Sequence, residues 1–453
     1  MGRIATWFVS LCGRHAWTIL ICAAVLSALL QVALLRHFGF EATDASAASA
    51  SAVMGLMHGR GLTVSAAEAN AAWSNDPERE LLVEYRPDAP RMQAHQPLPG
   101  FIAVMAACAY LTGHLRYLWI IYLQFGLHIG LSVLLARELM LRSRLHGVLV
   151  GVVWLLFLPF MRVNLMVRYD AWTSFLSLGL TIAGLCYIRR PSLPGILLCG
   201  VLGGAGLWMR DYFFVLPVVV FLILAFLVRP PWRHLVVYAF VVVLFGVALM
   251  HFRSWAPGVE AQITRGSTWH TFWAGVGQFD NDVGVANDDD SVLRLATRLS
   301  GGRDFSFFYY EFDPEYNRVL GDLGRTYIRS HPWSLVRNAC YRCVYLMSPG
   351  LMPSYTLVVT LWGKLLTGAV SIVISLLAVV GFLTEWRYDR RRAAILLAPW
   401  LALFPLAPFY LTLPVTMLVY FVFVVFACLT ISEWLTRRCS VGKSAPPLPN
   451  LAA

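Results

Sequence analysis

Glu41 and Asp44 stand just beyond the end of a long apolar run, in the segment FGFEATDASAASASAVMGLMHGRG over 38–61. A carboxylate at a bilayer surface can take a proton from an acceptor hydroxyl. Equally, Asp44 can cap the helix that the following small residues predict. Further on, Arg162, Arg168, Tyr169 and Asp170 crowd a short break between two apolar runs, and Arg210 and Asp211 occupy a shorter one in GLWMRDYFFVLP. Charges this close to hydrocarbon are costly, and guanidinium forks there suit phosphate. The plainer alternative is snorkelling to ordinary headgroups, or pairing with Asp170 and Asp211. His95, which opens HQPLPG, offers a metal ligand or a donor to phosphate, although prolines in that place are also ordinary helix starts.

A second group lies late in the chain, in STWHTFWAGVGQFDNDVGVANDDD over 267–290. The aromatics Trp269, Phe272 and Trp273 can stack on a sugar face, the carboxylates Asp280, Asp282, Asp288, Asp289 and Asp290 can bind hydroxyls or a divalent cation, and His270 is a further candidate for sugar or acceptor. The D-N-D-x-G run is superficially like a calcium loop but lacks the ligand ladder ending in Glu, so the acids read as a solvated turn. There is no P-loop, H-E-x-x-H, G-x-S-x-G or dinucleotide fingerprint.

The elements that must position these residues are membrane helices. The chain has 453 residues, 58% hydrophobic and 13% charged, with a mean hydropathy of +0.64. Soluble domains carry about 25% charged residues, so a water-soluble enzyme is excluded. The net charge of +11 is what basic loops between spans require, and no nucleic-acid partner is expected. Most of the nine cysteines lie in apolar runs as small apolar groups. The lone pair Cys340 and Cys343 reads as structural, with a disulfide as the lesser alternative and no zinc site.

Apolar runs place about ten spans, near 17–35, 117–136, 147–161, 171–188, 194–208, 212–228, 235–250, 356–383, 393–411 and 414–435. The first reads as an uncleaved anchor. The run 97–113 carries two prolines and two glycines. Treated as a surface or re-entrant helix, it leaves the basic loops 137–146, 189–190, 229–234, 385–392 and 436–443 on one side with the N-terminus, which the positive-inside rule makes cytoplasmic. The expected fold is therefore an all-α polytopic membrane protein with juxtamembrane helices in the first outer loop and a small mixed periplasmic cap. Its parts are a membrane module over 1–250 that includes the outer loop 36–116, the cap over 251–355, C-terminal spans over 356–436 and a cytoplasmic tail over 437–453. Scarce mid-span charge argues against an ion-coupled transporter.

In order and spacing, these features resemble the GT-C class of integral-membrane glycosyltransferases. They are closest to the bacterial relatives of protein O-mannosyltransferases and to the aminoarabinose lipid A transferases. The matching residues are Asp44 after the first span, the glycines Gly59 and Gly61, and His95-Gln96-Pro97-Leu98 in place of H-P-P-L. Gly113 with Arg116, the Arg168/Asp170 pair, and Gly206, Arg210 and Pro217 complete the pattern. Coverage is good over 17–230. The chain departs from the pattern in the spacing of Glu41 from Asp44 and in Gln96.

The resemblance implies a bacterial inner-membrane enzyme with its site facing the periplasm. The donor would be a polyprenyl-phosphate-linked sugar, and the acceptor a glycan, lipid or protein. Asp44 would be the general base, with Asp170 orienting acceptor or arginine. Arg168, Arg210 and His95 would meet the donor phosphate, while Glu41, Trp269, His270 and Trp273 would meet sugar or acceptor. Of these, Glu41, Trp269, His270 and Trp273 are named from their own residue chemistry and not from the family pattern. No cofactor is certain, and a divalent metal is left open. Two other readings stand beside this one: an O-antigen ligase or polymerase using His270, His331 and Arg337, and a non-enzymatic flippase whose arginines hold headgroups.

Overall fold

The computed structural model of the chain describes residues 2–42, 44–65, 67–69, 85–88, 92–93, 99–254, 268–303, 305, 314–347, 361–403 and 413–441. In chain order α1 is Gly2–Phe38, β1 Glu41–Ala42, α2 Asp44–Met57, β2 Thr63–Val64 and β3 Met92–Gln93. Then come α3 Pro99–Thr112, α4 Tyr117–Met140, α5 Arg144–Leu155, α6 Leu158–Val163 and β4 Met166–Val167. Next are α7 Tyr169–Arg189, α8 Leu193–Met209, a 3-10 turn Asp211–Phe214, α9 Val215–Ile223 with a π turn Leu224–Val228, and α10 Trp232–Ser254. The late outer segment folds as α11 Thr268–Val276, α12 Asp289–Leu299, α13 Pro314–Ser330 and α14 Pro332–Met347. The chain closes with α15 Leu361–Tyr388, α16 Arg390–Leu403 and α17 Leu413–Val441.

Six helices among the described residues are long and apolar enough to cross a membrane: Thr6–Phe38, Tyr117–Met140, Tyr169–Arg189, Trp232–Phe252, Gly368–Tyr388 and Tyr420–Cys439. The other four expected spans coincide with the shorter helices α5, α8, α9 and α16. Small residues let these helices approach closely. A Cβ at Gly381 would overlap the Phe426 carbonyl where α15 meets α17, and one at Gly204 would meet the Phe245 ring where α8 meets α10. Ser143 and Ser192 start α5 and α8 by accepting the backbone N–H groups of His146 (3.3 Å) and Gly195 (3.2 Å).

The five basic segments share one end of the bundle. Glu385, nearly wholly buried, pairs with Arg142 and with Arg392 (3.0 Å). Arg142 also reaches Glu433 (3.3 Å), and Arg189 reaches Glu138 (3.3 Å). Tyr187 and His234 share a hydrogen bond of 2.7 Å, and Arg144 donates to the Gly13 carbonyl of α1 (2.7 Å). At 14 residues, α3 is about 21 Å long, short for a hydrocarbon layer of about 30 Å. It starts and ends at the opposite end of the bundle: Gly100 lies against the Trp208 backbone near the end of α8, and just beyond α3 the Tyr117 hydroxyl donates to Ser46 in α2. Both ends of α3 thus lie at that end of the bundle, the arrangement the loop charges predict.

The cap was expected to be mixed, but its described residues are helical. Their own core holds Trp273, Val292, Leu295, Tyr316 and Leu320. Apolar residues recur at helical spacing in α12 and α13, over 289–299 and 314–330, and the strand-forming alternation is missing there. Cys340 and Cys343 are free thiols.

Candidate active site

One short parallel strand pair builds the site. β1 pairs with β4 in parallel, Glu41 with Met166 and Ala42 with Val167. The backbone that leads into Asp44 therefore lies beside the backbone that leads into Arg168. Asp44 is the first residue of α2, and the side chains of Glu41 and Asp44 lie outside the described residues, as does the whole of His95.

β4 is held from below by buried amides. Gln124 of α4 donates from Nε2 to the carbonyls of Asn164 (2.9 Å) and Met166 (3.1 Å). Asn164 in turn donates to Gln31 Oε1 of α1 (3.1 Å), and Gln31 to Ser27 Oγ (3.3 Å). His128 adds a bond to the Trp154 carbonyl (3.3 Å). All five side chains are fully buried. Polar groups in hydrocarbon must find partners inside the protein, so this chain fixes β4 against α1 and α4.

The charged centre follows directly. Arg168 precedes α7 in extended backbone, and Asp170 sits in the first turn of that helix, where a carboxylate is favoured by the helix dipole. Asp170 is 1% exposed; its Oδ2 lies 3.1 Å from Arg168 Nε and its Oδ1 3.9 Å from Arg210 Nε. Arg210 ends α8 in extended backbone, with its N–H on the Gly206 carbonyl (3.0 Å), and its own carbonyl accepts from Phe213 (3.0 Å). A Cβ on Gly206 would fall inside the Phe213 ring, so glycine is what allows this tight turn. The Arg210 guanidinium lies over the Tyr169 ring at 4.2 Å, and Phe101 of α3 meets the same ring edge-on at 6.3 Å. One buried carboxylate thus orients two partly exposed guanidinium groups. In this arrangement both carboxylate oxygens of Asp170 face arginines.

The cap supplies a further acid. Asp289, the first residue of α12, accepts from His270 Nε2 (2.9 Å), whose Nδ1 meets the Tyr316 hydroxyl (2.6 Å). Burial works to raise the Asp289 pKa. The His270 hydrogen bond and the charges of His270, Arg168 and Arg210 outweigh it, and the carboxyl is held below its ordinary value. Asp289 therefore lies in the field of both arginines.

Several expectations about the cap are corrected. Trp273 is fully buried and donates to the Leu320 carbonyl (3.1 Å), so its ring offers no face to a sugar. His270 is also buried and positions Asp289 instead of meeting solvent. Trp269 packs against Gly321 and Gly324 of α13, with Arg325 over its ring at 5.7 Å. The D-N-D-x-G turn is closed by Asn281, which donates to the carbonyls of Phe279 (3.0 Å) and Val285 (2.8 Å) and accepts from the Val285 N–H (3.1 Å). His331 pairs with Asp282 (3.2 Å), apart from the His270–Asp289 pair. Among the described residues no group of three or more His, Cys, Asp or Glu could hold a metal. Both oxygens of Asp170 face guanidinium groups, so it is not offered to a metal ion.

Tyr169, Gln124 and Asp289 were not singled out from sequence as a joint site. Tyr169 was visible beside the Arg/Asp pair, and Asp289 stood in a D-D-D run. Gln124 left only a lone amide in an apolar run as its signal.

The oligosaccharyltransferase of Archaeoglobus fulgidus in its apo form is similar to this chain over 96% of its length, at 13% identity and a TM-score of 0.50. The chain has the fold of the GT-C membrane glycosyltransferases. It spans about half, 53%, of that oligosaccharyltransferase. The same archaeal protein in complex with an inhibitory peptide and a dolichol-phosphate is matched at a TM-score of 0.47 and 13% identity, over 98% of this chain and 53% of that one. ArnT from Cupriavidus metallidurans bound to undecaprenyl phosphate is matched at a TM-score of 0.38 and 13% identity, over 93% and 78%. No protein-family model and no curated protein matches the chain.

Proposed function

We propose that the chain is an inverting glycosyltransferase that moves a sugar from a polyprenyl-phosphate donor to an acceptor. Transfer takes place at the end of the bundle opposite the basic loops, the periplasmic face of a bacterial inner membrane. The observation that carries this is the pair Arg168 and Arg210, both held by buried Asp170 at the membrane exit beside the β1–β4 bridge. That bridge brings the start of α2, and so Asp44, to the same place.

In this reading the acceptor O–H gives its proton to Asp44 as its oxygen forms the new bond to the sugar C1. The bond from C1 to the phosphate oxygen breaks, and its electron pair leaves on that oxygen. The phosphodiester, with one negative charge, becomes a phosphomonoester with a second charge developing. Arg168 and Arg210 meet that developing charge, as fixed cations do in a water-poor site. Asp170 prevents the two like charges from turning away from each other, and Tyr169 stacks beneath Arg210. From the cap, Asp289 lies in the field of the same two arginines.

Native mass spectrometry of the purified protein with undecaprenyl phosphate tests the phosphate assignment. Retention is expected to fall at least about tenfold in Arg168→Ala and in Arg210→Ala, since a charged hydrogen bond is worth about 1.5–3 kcal/mol. Equal retention in the double variant would remove the arginines from the donor site.

A further inference from the structure

α14 is built inside out. Its buried face carries Asn338 and Arg342, each 3% exposed. Its outward face carries Trp333 (81% exposed), Val336 (52%), Cys340 and Val344 (51%), with Tyr341 at the margin. These positions recur at the helical period and share one side. The neighbouring cap helix has the opposite, water-facing order. In α13 Tyr316, Val319, Leu320 and Tyr327 face inward, and Glu315, Arg318, Asp322 and Arg325 face outward.

We infer that the outward face of α14 seats in the lipid of the outer leaflet and suspends the cap from the membrane. The continuity of the surface says what covers it. Near the start of the helix Leu335 packs on the cap core, while near its end Cys343, Tyr345 and Leu346 pack on the core of the membrane bundle. The helix thus runs from the cap core to the core of the membrane bundle, and its outward stripe runs with it. The segment PWSLVRNACYRCVYLM contains no acidic residue, and its exposed Arg337 can snorkel to an anionic headgroup. Trp333 and Tyr341 are the residue types that settle at the headgroup boundary.

The inward face transmits that seat to the cap. Arg342 donates from Nε to Gln278 Oε1 (2.8 Å) and from Nη2 to the Gly275 carbonyl, and its guanidinium lies over Phe279 at 5.1 Å. Burial lowers its pKa to about 10, so it stays charged at neutral pH. Gly275 lies in the last turn of the helix that carries His270 and, through it, Asp289. A helix floating in the leaflet therefore sets the height of the cap over the arginine pair. This inference needs only the membrane placement of the bundle, so the catalytic reading can fail without it.

The test is a nitroxide on Cys340 in full-length protein whose other cysteines are replaced, reconstituted in vesicles of phosphatidylethanolamine and phosphatidylglycerol. Arg318→Cys on α13 and Val243→Cys on lipid-facing α10 serve as water and lipid references in the same background. Power-saturation EPR is expected to show the Cys340 label colliding more with oxygen than with a nickel chelate, as at Val243→Cys. A label as open to nickel as that at Arg318→Cys overturns the inference. If the cysteine-depleted chain does not fold, Trp333→Phe in the otherwise native protein gives the same answer. In brominated lipid the variant should lose part of the quenched emission of the wild type. Loss of an iodide-quenched component instead means that the residue faces water.

Discussion

Replacing Asp170 with Asn removes one buried charge and leaves two cations facing each other. At an effective dielectric near 20, unit charges at the observed 3.1 Å attract by about 5 kcal/mol and at 3.9 Å by about 4 kcal/mol. Much of that gross attraction is cancelled by the cost of burying the carboxylate. What remains on breaking a buried pair is about 3–5 kcal/mol. Asn keeps a polar oxygen for one guanidinium, so the lower edge, about 3 kcal/mol, is the expected loss. Thermal unfolding in detergent, followed by size-exclusion fluorescence, should show the transition falling by several degrees. Arg168→Gln alone should cost less, because Arg168 is partly solvated. The double variant should fall short of the sum of the single losses by about 1–3 kcal/mol, the coupling of residues in one network. An Asp170→Asn protein as stable as the wild type, with additive losses in the double variant, would refute the claim that this carboxylate organises the arginine pair.

Three further expectations follow from the same geometry. Gln124→Leu leaves the Asn164 carbonyl without its donor, while the Met166 carbonyl keeps the Arg168 N–H (2.9 Å); it should cost about 1–3 kcal/mol, read in the same unfolding assay, and no loss would detach β4 from the buried amide chain. Gly206→Val puts a side chain into the Phe213 ring and should lower undecaprenyl phosphate retention by moving Arg210, whereas Gly246→Val, with open space around it, should retain it fully. Asp289 has a lowered pKa in the folded cap, so its link to His270 is fully present above the ordinary carboxylate range and is lost as pH falls through the lowered value. Hydrogen exchange of α11 and α12 should quicken in that acid window, and Asp289→Asn should remove the pH dependence; an unchanged profile in the variant would assign it elsewhere.

The helical membrane architecture was legible because apolar length and basic flanks are read by the solvent itself, not by tertiary contacts. Counting charges around 97–113 predicted a surface or re-entrant helix, and both ends of α3 pack at the end of the bundle opposite the basic segments. Arg168, Asp170 and Arg210 were legible because charge at a membrane exit stands out against apolar runs. The β1–β4 bridge was not: two residues per strand carry no period, and their pairing joins positions far apart in the chain. Gln31, Gln124 and Asn164 were passed over for a related reason, since one amide in an apolar run costs little until its partners are known. In the cap, composition suggested aromatics for a sugar, yet Trp273 and His270 are interior groups. Burial on the short cap helices is decided by which faces meet, and the sequence of one helix does not say that.

The central proposal is that Asp44, which follows β1 in the chain as Arg168 follows β4, takes the acceptor proton. Transfer from labelled polyprenyl-phosphate sugars should be measured in membranes holding equal amounts of wild type, Asp44→Asn and His331→Ala. Loss of a helix cap costs only about 1 kcal/mol, so Asp44→Asn should remain folded. Transfer should fall about 10²–10⁴-fold in Asp44→Asn and persist in His331→Ala. Full transfer by folded Asp44→Asn, with none by His331→Ala, would contradict the account and move the chemistry to the late outer segment.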